Sequence, residues 1–262
     1  MLCCPVCKNR IVKTDNTYKC QSGHCFDISR KGYVNLLISN SAHHGDDKPM
    51  SRARREFLSG GYYKPLLDAV CDSMVTPRTV LDIGCGECYY LSGIKKRFPE
   101  CSAVGIDISK TILETAAPRV REYGLVTAVA SCKNLPVSDN SIDAALSVFA
   151  PFSETEVTRV LKNDGVFVRV MPDTDHLIEL KRAVYDTPRP NDKLSFEVEG
   201  MRVEDVKQLR YTFTVTGTDM IKNLFTMTPY YYKTSPSDMA KLDACTELTI
   251  TAHFNIAVYR KC

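Results

Sequence analysis

A regular alternation of strand-like and helix-like segments begins near Thr79 and constrains the fold of this 262-residue chain more than any other feature. The first strand, TVLDIG, precedes the helical run YYLSGIKKRF, and a second strand, SAVGIDIS, precedes the helix KTILETAAPRVREYG, which Gly124 closes. Further strands are VTAVA, IDAALSVFA and GVFVRV, with the helix SETEVTRVLKN before the last, and YTFTVTG and LTITAHFNIAVYR are expected to close the sheet. This alternation predicts an α/β fold built on a doubly wound parallel sheet.

The turn after the first strand, DIGCG at 82–86, has the composition of a ligand-binding loop. Glycines let backbone N–H groups approach a ligand, but a dinucleotide fingerprint needs a third glycine where Tyr89 stands. Asp82 would repel a pyrophosphate but attract an ammonium group, and Asp107, at the end of the second strand, can accept hydrogen bonds from both hydroxyls of a ribose. The pattern resembles motifs I and II of Class I S-adenosylmethionine (SAM) methyltransferases.

Cys88 stands where many such loops have a glycine, and its effect depends on the backbone. If φ is negative, cysteine is small enough for the turn to survive. If φ is positive, cysteine carries a strain of about 1–2 kcal/mol, which could weaken SAM binding. A decayed, empty pocket is the alternative.

The first 25 residues contain five of the twelve cysteines. Nothing indicates export, so metal binding or buried free thiols are favoured over disulfides. Cys3 could take the place of Cys4 as a metal ligand, and Cys25 could take the place of His24. The spacing C-x2-C-x12-C-x3-H predicts a closed tetrahedral zinc site with four ligands: Cys4, Cys7, Cys20 and His24.

The front of the chain is basic: residues 1–65 contain 11 Lys or Arg and 5 Asp or Glu, against 23 and 26 in the remainder. This charge suits a polyanion such as RNA, although a solvated surface is the alternative. Tyr62 and Tyr63 could stack on RNA bases or pack against the main domain. The candidate RNA-contacting side chains are Lys8, Lys13, Tyr18, Lys19, Arg30, Lys31, Arg52, Arg54, Arg55, Tyr62 and Tyr63.

No apolar run approaches the roughly 18–20 residues of a membrane helix, and the first residues lack the pattern of a signal peptide. We therefore expect a cytoplasmic protein without a membrane partner.

Taken in order, these motifs resemble one family, the bacterial 23S rRNA guanine-N1 methyltransferases, which modify a guanine in hairpin 35 and include a branch associated with macrolide (tylosin) resistance. The likeness extends almost from end to end, in CPVC…C…H, FDISRKGYVNLL, ARREFLSGGYYKPL, VLDIGCGECYY, GIDISK, LPVSDNSIDAALSVFAP, HLIELK, MTPY and FNIAVYR. The departures are Cys88 and LKNDGVF, where LKPGG is usual.

The resemblance implies a Rossmann-like Class I SAM methyltransferase domain with a small N-terminal zinc-binding domain. We expect a zinc-binding RNA-recognition domain at 1–37, a linker and basic helical arm at 38–70, and the methyltransferase domain at 71–262. A homodimer is also plausible in this family. The residues that the resemblance assigns to SAM are Asp82, Gly84, Cys85, Gly86, Asp107, Asn134, Leu135 and His176.

Guanine N1 carries a proton and lies on the Watson–Crick edge, so the reaction needs a proton acceptor and a base that is unpaired or flipped. Asp173, His176 and Glu154 are the candidate acceptors. VFAP at 148–151 stands where amino-group methyltransferases often have Asn-Pro-Pro-Tyr, which favours a ring nitrogen, and Phe149 could stack on the base or belong to the core. Two rival functions are a SAM methyltransferase for a small metabolite and a catalytically silent RNA-binding protein.

Overall fold

A computed structural model describes residues 1–38 and 47–262, so most of the predicted polar linker that follows residue 37 lies outside the described residues. The strands are β1 (Ile11–Thr14), β2 (Thr17–Cys20), β3 (Cys25–Asp27), β4 (Tyr33–Asn35), β5 (Thr79–Ile83), β6 (Ser102–Asp107), β7 (Val126–Val129), β8 (Ile142–Val148), β9 (Leu161–Pro172), β10 (Met201–Thr216) and β11 (Glu247–Lys261). The helices are α1 (Lys48–Ser59), α2 (Lys64–Asp72), α3 (Tyr89–Arg97), α4 (Lys110–Thr115), α5 (Ala117–Tyr123), α6 (Glu154–Val160), α7 (Ile178–Val184), α8 (Thr218–Thr226) and α9 (Pro236–Ala240).

An eight-stranded sheet in the order β10-β11-β9-β8-β5-β6-β7-β4 forms the centre of the protein. The six strands from β9 to β4 are parallel to one another, and β11 runs antiparallel to both β9 and β10. The predicted α/β class and Rossmann-like sheet are confirmed, with the two closing strands at one edge.

The N-terminal segment contributes to two sheets. Strands β1, β2 and β3 form a small antiparallel sheet. Strand β4 instead pairs in parallel with β7 at the edge of the large sheet, with Val34 opposite Ala128. The first 35 residues are therefore tied to the main sheet by backbone pairing.

Two predicted helical regions show how glycine and proline divide the chain. Gly60 and Gly61 separate α1 from α2, as expected. The helix predicted to end at Gly124 is instead two short helices, α4 and α5, that meet at Ala116. Pro118, in the first turn of α5, has no backbone N–H to continue the hydrogen bonds of α4.

Both faces of the large sheet are covered, which explains the nearly continuous apolar sequence of its central strands. On β5, Val80 packs with the helical layer that contains Phe57 of α1 and Leu91 of α3. Leu81 faces the opposite layer, where Val157 of α6 and apolar residues of the zinc-binding segment pack. Within the described residues, no helix combines the length and apolar character needed to cross a bilayer.

Candidate functional site

The loop between β5 and α3 turns sharply enough to require glycine. Gly84 and Gly86 both have positive φ, at 74° and 55°. A Cβ atom on Gly84 would lie 2.4 Å from the Cβ atom of Ala150, well inside contact distance. The loop therefore passes close to the end of β8, with the N-terminus of α3 directed at the space beside it.

Cys88 adopts the strained alternative considered from the sequence. It caps the N-terminus of α3 with φ 64° and ψ 28°, and its side chain is fully buried. Its sulfur lies 3.9 Å from the sulfur of Cys85. Cysteine thus occupies a left-handed position at a cost of about 1–2 kcal/mol, and the loop keeps the path of a ligand-binding turn.

Asp107 ties the loop to the second strand. One carboxylate oxygen accepts a hydrogen bond from the Gly86 N–H at 2.9 Å, and the other accepts from the Ser109 N–H at 2.8 Å. A carboxylate is a strong acceptor for hydroxyl donors such as those of a ribose. Asp107 also lines the cavity described below.

Asp82 is buried immediately before the loop, and one of its oxygens has no hydrogen-bond partner. Burial, assisted by the nearby Asp107 charge, raises the pKa of Asp82 to about 8. An unpartnered buried carboxylate is costly, and a cationic ligand would compensate that cost. The carboxylate therefore suits the methionine ammonium group of SAM electrostatically, although Asp82 is not among the residues that line the cavity described below.

A cavity of about 970 Å³ opens beside the loop, at the upper end of the roughly 300–1,000 Å³ typical of ligand sites. It extends from the loop and the end of β6 to α1 and to the segment after α8. The two ends of the cavity could hold a cofactor and a second molecule side by side. Its charged and aromatic lining residues are Asp47, Arg54, Asp107, Lys133, Phe149, Tyr232 and Lys233.

A smaller recess of about 50 Å³ adjoins the same loop and contains two polar groups that the sequence did not indicate. Glu87 is buried against the Arg119 guanidinium, and burial raises the pKa of its carboxyl to about 7. One Glu87 oxygen and the buried hydroxyl of Tyr90 have no hydrogen-bond partner. Glu87 could have been suspected from its place within the loop, but Tyr90 looks like an ordinary helix residue.

Asn134 and Leu135, predicted to contact SAM, do not line the cavity. Asn134 accepts a hydrogen bond from the Lys8 ammonium at 2.6 Å, and Leu135 is buried with its N–H donated to Glu156. The cavity wall in this part of the chain is formed by residues 130–133 instead. These wall residues lie where the chain leaves β7, within a few positions of the predicted segment, and a SAM contact from Asn134 or Leu135 stays a prediction.

His176 is buried below the cavity rather than in its lining. Its Nδ1 accepts a hydrogen bond from the backbone N–H of His253 at 3.3 Å, and its Nε2 lies 3.4 Å from the Tyr63 hydroxyl. Burial, assisted by Lys181, lowers the pKa of His176 to about 3. Both ring nitrogens are engaged, so this neutral histidine supports the site from below and does not reach a substrate.

The other two candidate proton acceptors also lie outside the cavity lining. Asp173 accepts hydrogen bonds from Thr174 and Asn255, and these hold its pKa below the usual range. Glu154 begins α6 and accepts from the Glu199 N–H at 2.6 Å. Both carboxylates bind neighbouring segments of the fold.

The four predicted zinc ligands come together. The ligand atoms of Cys4, Cys7, Cys20 and His24 all lie within 4.8 Å of one another. The Cys7 and Cys20 sulfurs are 3.6 Å apart, and Nδ1 of His24 is 3.3 Å from the Cys20 sulfur. Tetrahedral zinc with Zn–S bonds of about 2.3 Å requires similar spacings, so the group fits zinc without Cys3 or Cys25.

Tyr62 and Tyr63 pack against the main domain, which is one of the two alternatives considered from the sequence. Tyr63 is buried, and Tyr62 stacks on Phe57 with ring centroids 4.8 Å apart. Most of the predicted basic side chains are exposed, whereas Arg54 is half-buried and lines the cavity.

Comparison with known proteins agrees with this geometry. A zinc-ribbon family model described as RlmA, N-terminal, matches residues 2–43, and a methyltransferase-domain model matches residues 80–165. The YcgJ protein of Bacillus subtilis has a similar fold, with a TM-score of 0.51 at 20% sequence identity over 74% of this chain and 97% of that one.

Relatives in sequence match nearly the whole chain. The 23S rRNA (guanine(748)-N(1))-methyltransferase of Streptomyces fradiae is 30% identical over 97% of this chain and 95% of its own length. YxjB of Bacillus subtilis, named as a candidate 23S rRNA (guanine-N(1)-)-methyltransferase, is 31% identical over 100% of this chain and 97% of its own length. The chain therefore belongs to the family of zinc-ribbon, SAM-dependent 23S rRNA (guanine-N1)-methyltransferases.

Proposed function

We propose that this protein transfers the methyl group of SAM to N1 of a guanine in 23S rRNA. The observation that carries the proposal is the shape of the cavity, which continues from the cofactor loop to α1 and the segment after α8. A flipped base can therefore lie beside the cofactor in one continuous cavity.

SAM supplies the reactive methyl group, and the protein positions the cofactor and the substrate. We assign the ribose to Asp107 and the methionine ammonium to Asp82, which would leave the part of the cavity beside α1 for the substrate. Transfer then requires N1 to approach within about 3–3.5 Å, in line with the leaving sulfur. The N1 proton must also leave, and Asp47, a lining carboxylate outside the cofactor loop, has the chemistry to accept it.

The zinc ribbon is suited to hold the RNA next to this cavity. We assign zinc to Cys4, Cys7, Cys20 and His24, which would fix the fold of β1–β3. The ribbon docks on the segment that follows β7: the Cys3 N–H donates to Pro136, and Lys8 bonds to Asn134, next to the cavity-lining Lys133. The zinc-binding segment also exposes four basic side chains that can neutralise phosphates: Lys13, Lys19, Arg30 and Lys31.

Finer features follow as part of the same proposal. Family resemblance points to hairpin 35, and the Streptomyces fradiae relative names position 748, so that guanine is the first target to test. A ribosomal substrate would place the enzyme in the cytoplasm. A homodimer could use β10, which pairs with β11 along one edge and ends the large sheet.

The test is to map methylguanine in 23S rRNA from cells with and without the gene. We expect one N1-methylguanine to disappear with the gene, detected by mass spectrometry and by loss of the reverse-transcription stop that a blocked Watson–Crick edge causes. Restoring the gene should restore the modification, whereas an Asp107→Ala variant should not. An unchanged modification pattern would refute the proposal.

A further inference from the structure

Phe149 has an unusual conformation at the wall of the cavity. It follows the last residue of β8 with φ 55°, a left-handed backbone that a bulky side chain rarely adopts. Such outliers persist only where the surroundings impose them, and they are concentrated at functional sites. The conformation therefore calls for a reason beyond packing.

The ring of Phe149 is supported on one side and open on another. The His176 ring is nearly parallel to it at 6.3 Å, and the Phe254 ring lies 5.5 Å away. Despite these contacts, Phe149 is 40% exposed, in a cavity where the preceding Val148 is buried. A buried aromatic layer thus holds one rigid ring at the cavity surface.

Tyr232 adds a second aromatic side chain from a different part of the chain. It lies in a 3-10 turn at Tyr231–Lys233, after α8, and is 61% exposed while lining the same cavity. The Tyr231 ring meets it edge to face at 5.3 Å. Lys233 of the same turn and Arg54 of α1 also line the cavity.

We propose that Phe149 and Tyr232 form the subsite for the flipped guanine, and that Lys233 and Arg54 attract the phosphates of its strand. This inference rests on the proposed function and deepens it by naming the groups that hold the base. Aromatic faces bind flipped bases by stacking, and cations beside them favour a nucleotide over a neutral metabolite. The other charged residues that line the cavity are Asp47, Asp107 and Lys133.

The test compares Tyr232→Ala, Tyr232→Phe and Phe149→Leu in the full-length zinc-loaded enzyme, with a hairpin-35 RNA as substrate. We expect kcat/KM for RNA to fall about 5- to 150-fold in Tyr232→Ala and Phe149→Leu, which corresponds to the loss of one stacked base. Tyr232→Phe keeps the aromatic face and should stay within about threefold of wild type. Val75→Ala, which truncates an apolar side chain 82% exposed outside the cavity lining, is the control for nonspecific surface effects.

Two further measurements separate the subsite from other roles. The Kd for SAM should stay within about twofold in each variant, because the proposal gives these rings no contact with the cofactor. With 2-aminopurine in place of the target guanine, the bound RNA should fluoresce more brightly with Tyr232→Ala than with wild type, because stacking on an aromatic ring quenches this base.

Unchanged kcat/KM in Tyr232→Ala and Phe149→Leu, with an active wild type, would overturn the subsite and leave the proposed function standing. A loss confined to SAM affinity would overturn it as well. A wild-type enzyme that does not methylate the RNA would overturn both.

Discussion

Replacing Cys88 tests whether the cofactor loop is strained as the structure shows. At an ordinary helix position, alanine is more stable than glycine by about 1 kcal/mol. At Cys88 this preference should disappear, because alanine is strained at φ 64° whereas glycine is not. The strain costs alanine about 1–2 kcal/mol, while the greater freedom of unfolded glycine offsets about 0.4–1 kcal/mol and the loss of a buried methyl group offsets about 0.8 kcal/mol. We therefore expect the two variants to differ in stability by less than about 1 kcal/mol, whereas alanine would be favoured by about 2 kcal/mol if φ were negative.

The assay is equilibrium urea unfolding of both variants, with the free energies extrapolated to water. Arg55, exposed in the middle of α1, provides the matched control. There, the alanine variant should be the more stable of the pair. If Cys88→Ala is more stable than Cys88→Gly by about 2 kcal/mol, the left-handed conformation at this position is refuted. The Kd for SAM should stay within about threefold of wild type in Cys88→Gly, because glycine can follow the same backbone path.

Four further predictions concern the site. Asp107→Ala should abolish SAM binding by calorimetry, since two charge-assisted hydrogen bonds to the ribose are lost; an unchanged Kd would contradict the assignment. A pKa of about 8 leaves Asp82 mostly protonated at pH 7 in the free protein, whereas a bound ammonium ion favours the ionised carboxylate. Binding of SAM at pH 7 should therefore release close to one proton in wild type and none in Asp82→Asn. Without SAM, the same raised pKa should make stability fall as the pH rises from about 4 through about 8, and Asp82→Asn should flatten that slope. Asp47→Asn should keep the N-cap hydrogen bond to the Met50 N–H. It should nevertheless slow methyl transfer more than tenfold, and this loss of rate should become smaller as the pH rises. An unaffected rate would exclude Asp47 as the proton acceptor.

Zinc removal provides a separate test of the ribbon. Chelation should weaken RNA binding while SAM affinity is retained, because the cofactor loop does not contain the zinc ligands. Cys20→Ser should reproduce the effect, whereas Cys25→Ser should not. Equal effects of the two substitutions would contradict the ligand assignment.

The strands that determine the fold could be predicted because their sequences are continuous apolar runs that end in glycine or a polar turn. β5 and β6 are examples, and they deliver the cofactor loop and Asp107 to the same edge of the sheet. β4 could not be predicted in the same way. It is only three residues long, and it exists because β7 offers an unpaired edge.

The limits of sequence reasoning are clearest for side chains whose role depends on distant neighbours. His176 is assigned to the cofactor through the family segment HLIELK, but contacts with Tyr63 and His253 bury it below the cavity. Tyr232 lies in the segment MTPYYYK, which carries no helix or strand signal, and only the fold brings it to the cavity. Local motifs therefore located the cofactor, whereas the substrate side of the cavity required the structure.

The central claim is tested most directly by incubating the purified zinc-loaded protein with SAM that carries an isotope-labelled methyl group and 23S rRNA from cells that lack the gene. We predict one labelled N1-methylguanine per rRNA molecule, located in hairpin 35 by mass spectrometry of nuclease fragments. Label on another atom or another base, or an rRNA that stays unlabelled while the protein binds SAM, would contradict the account.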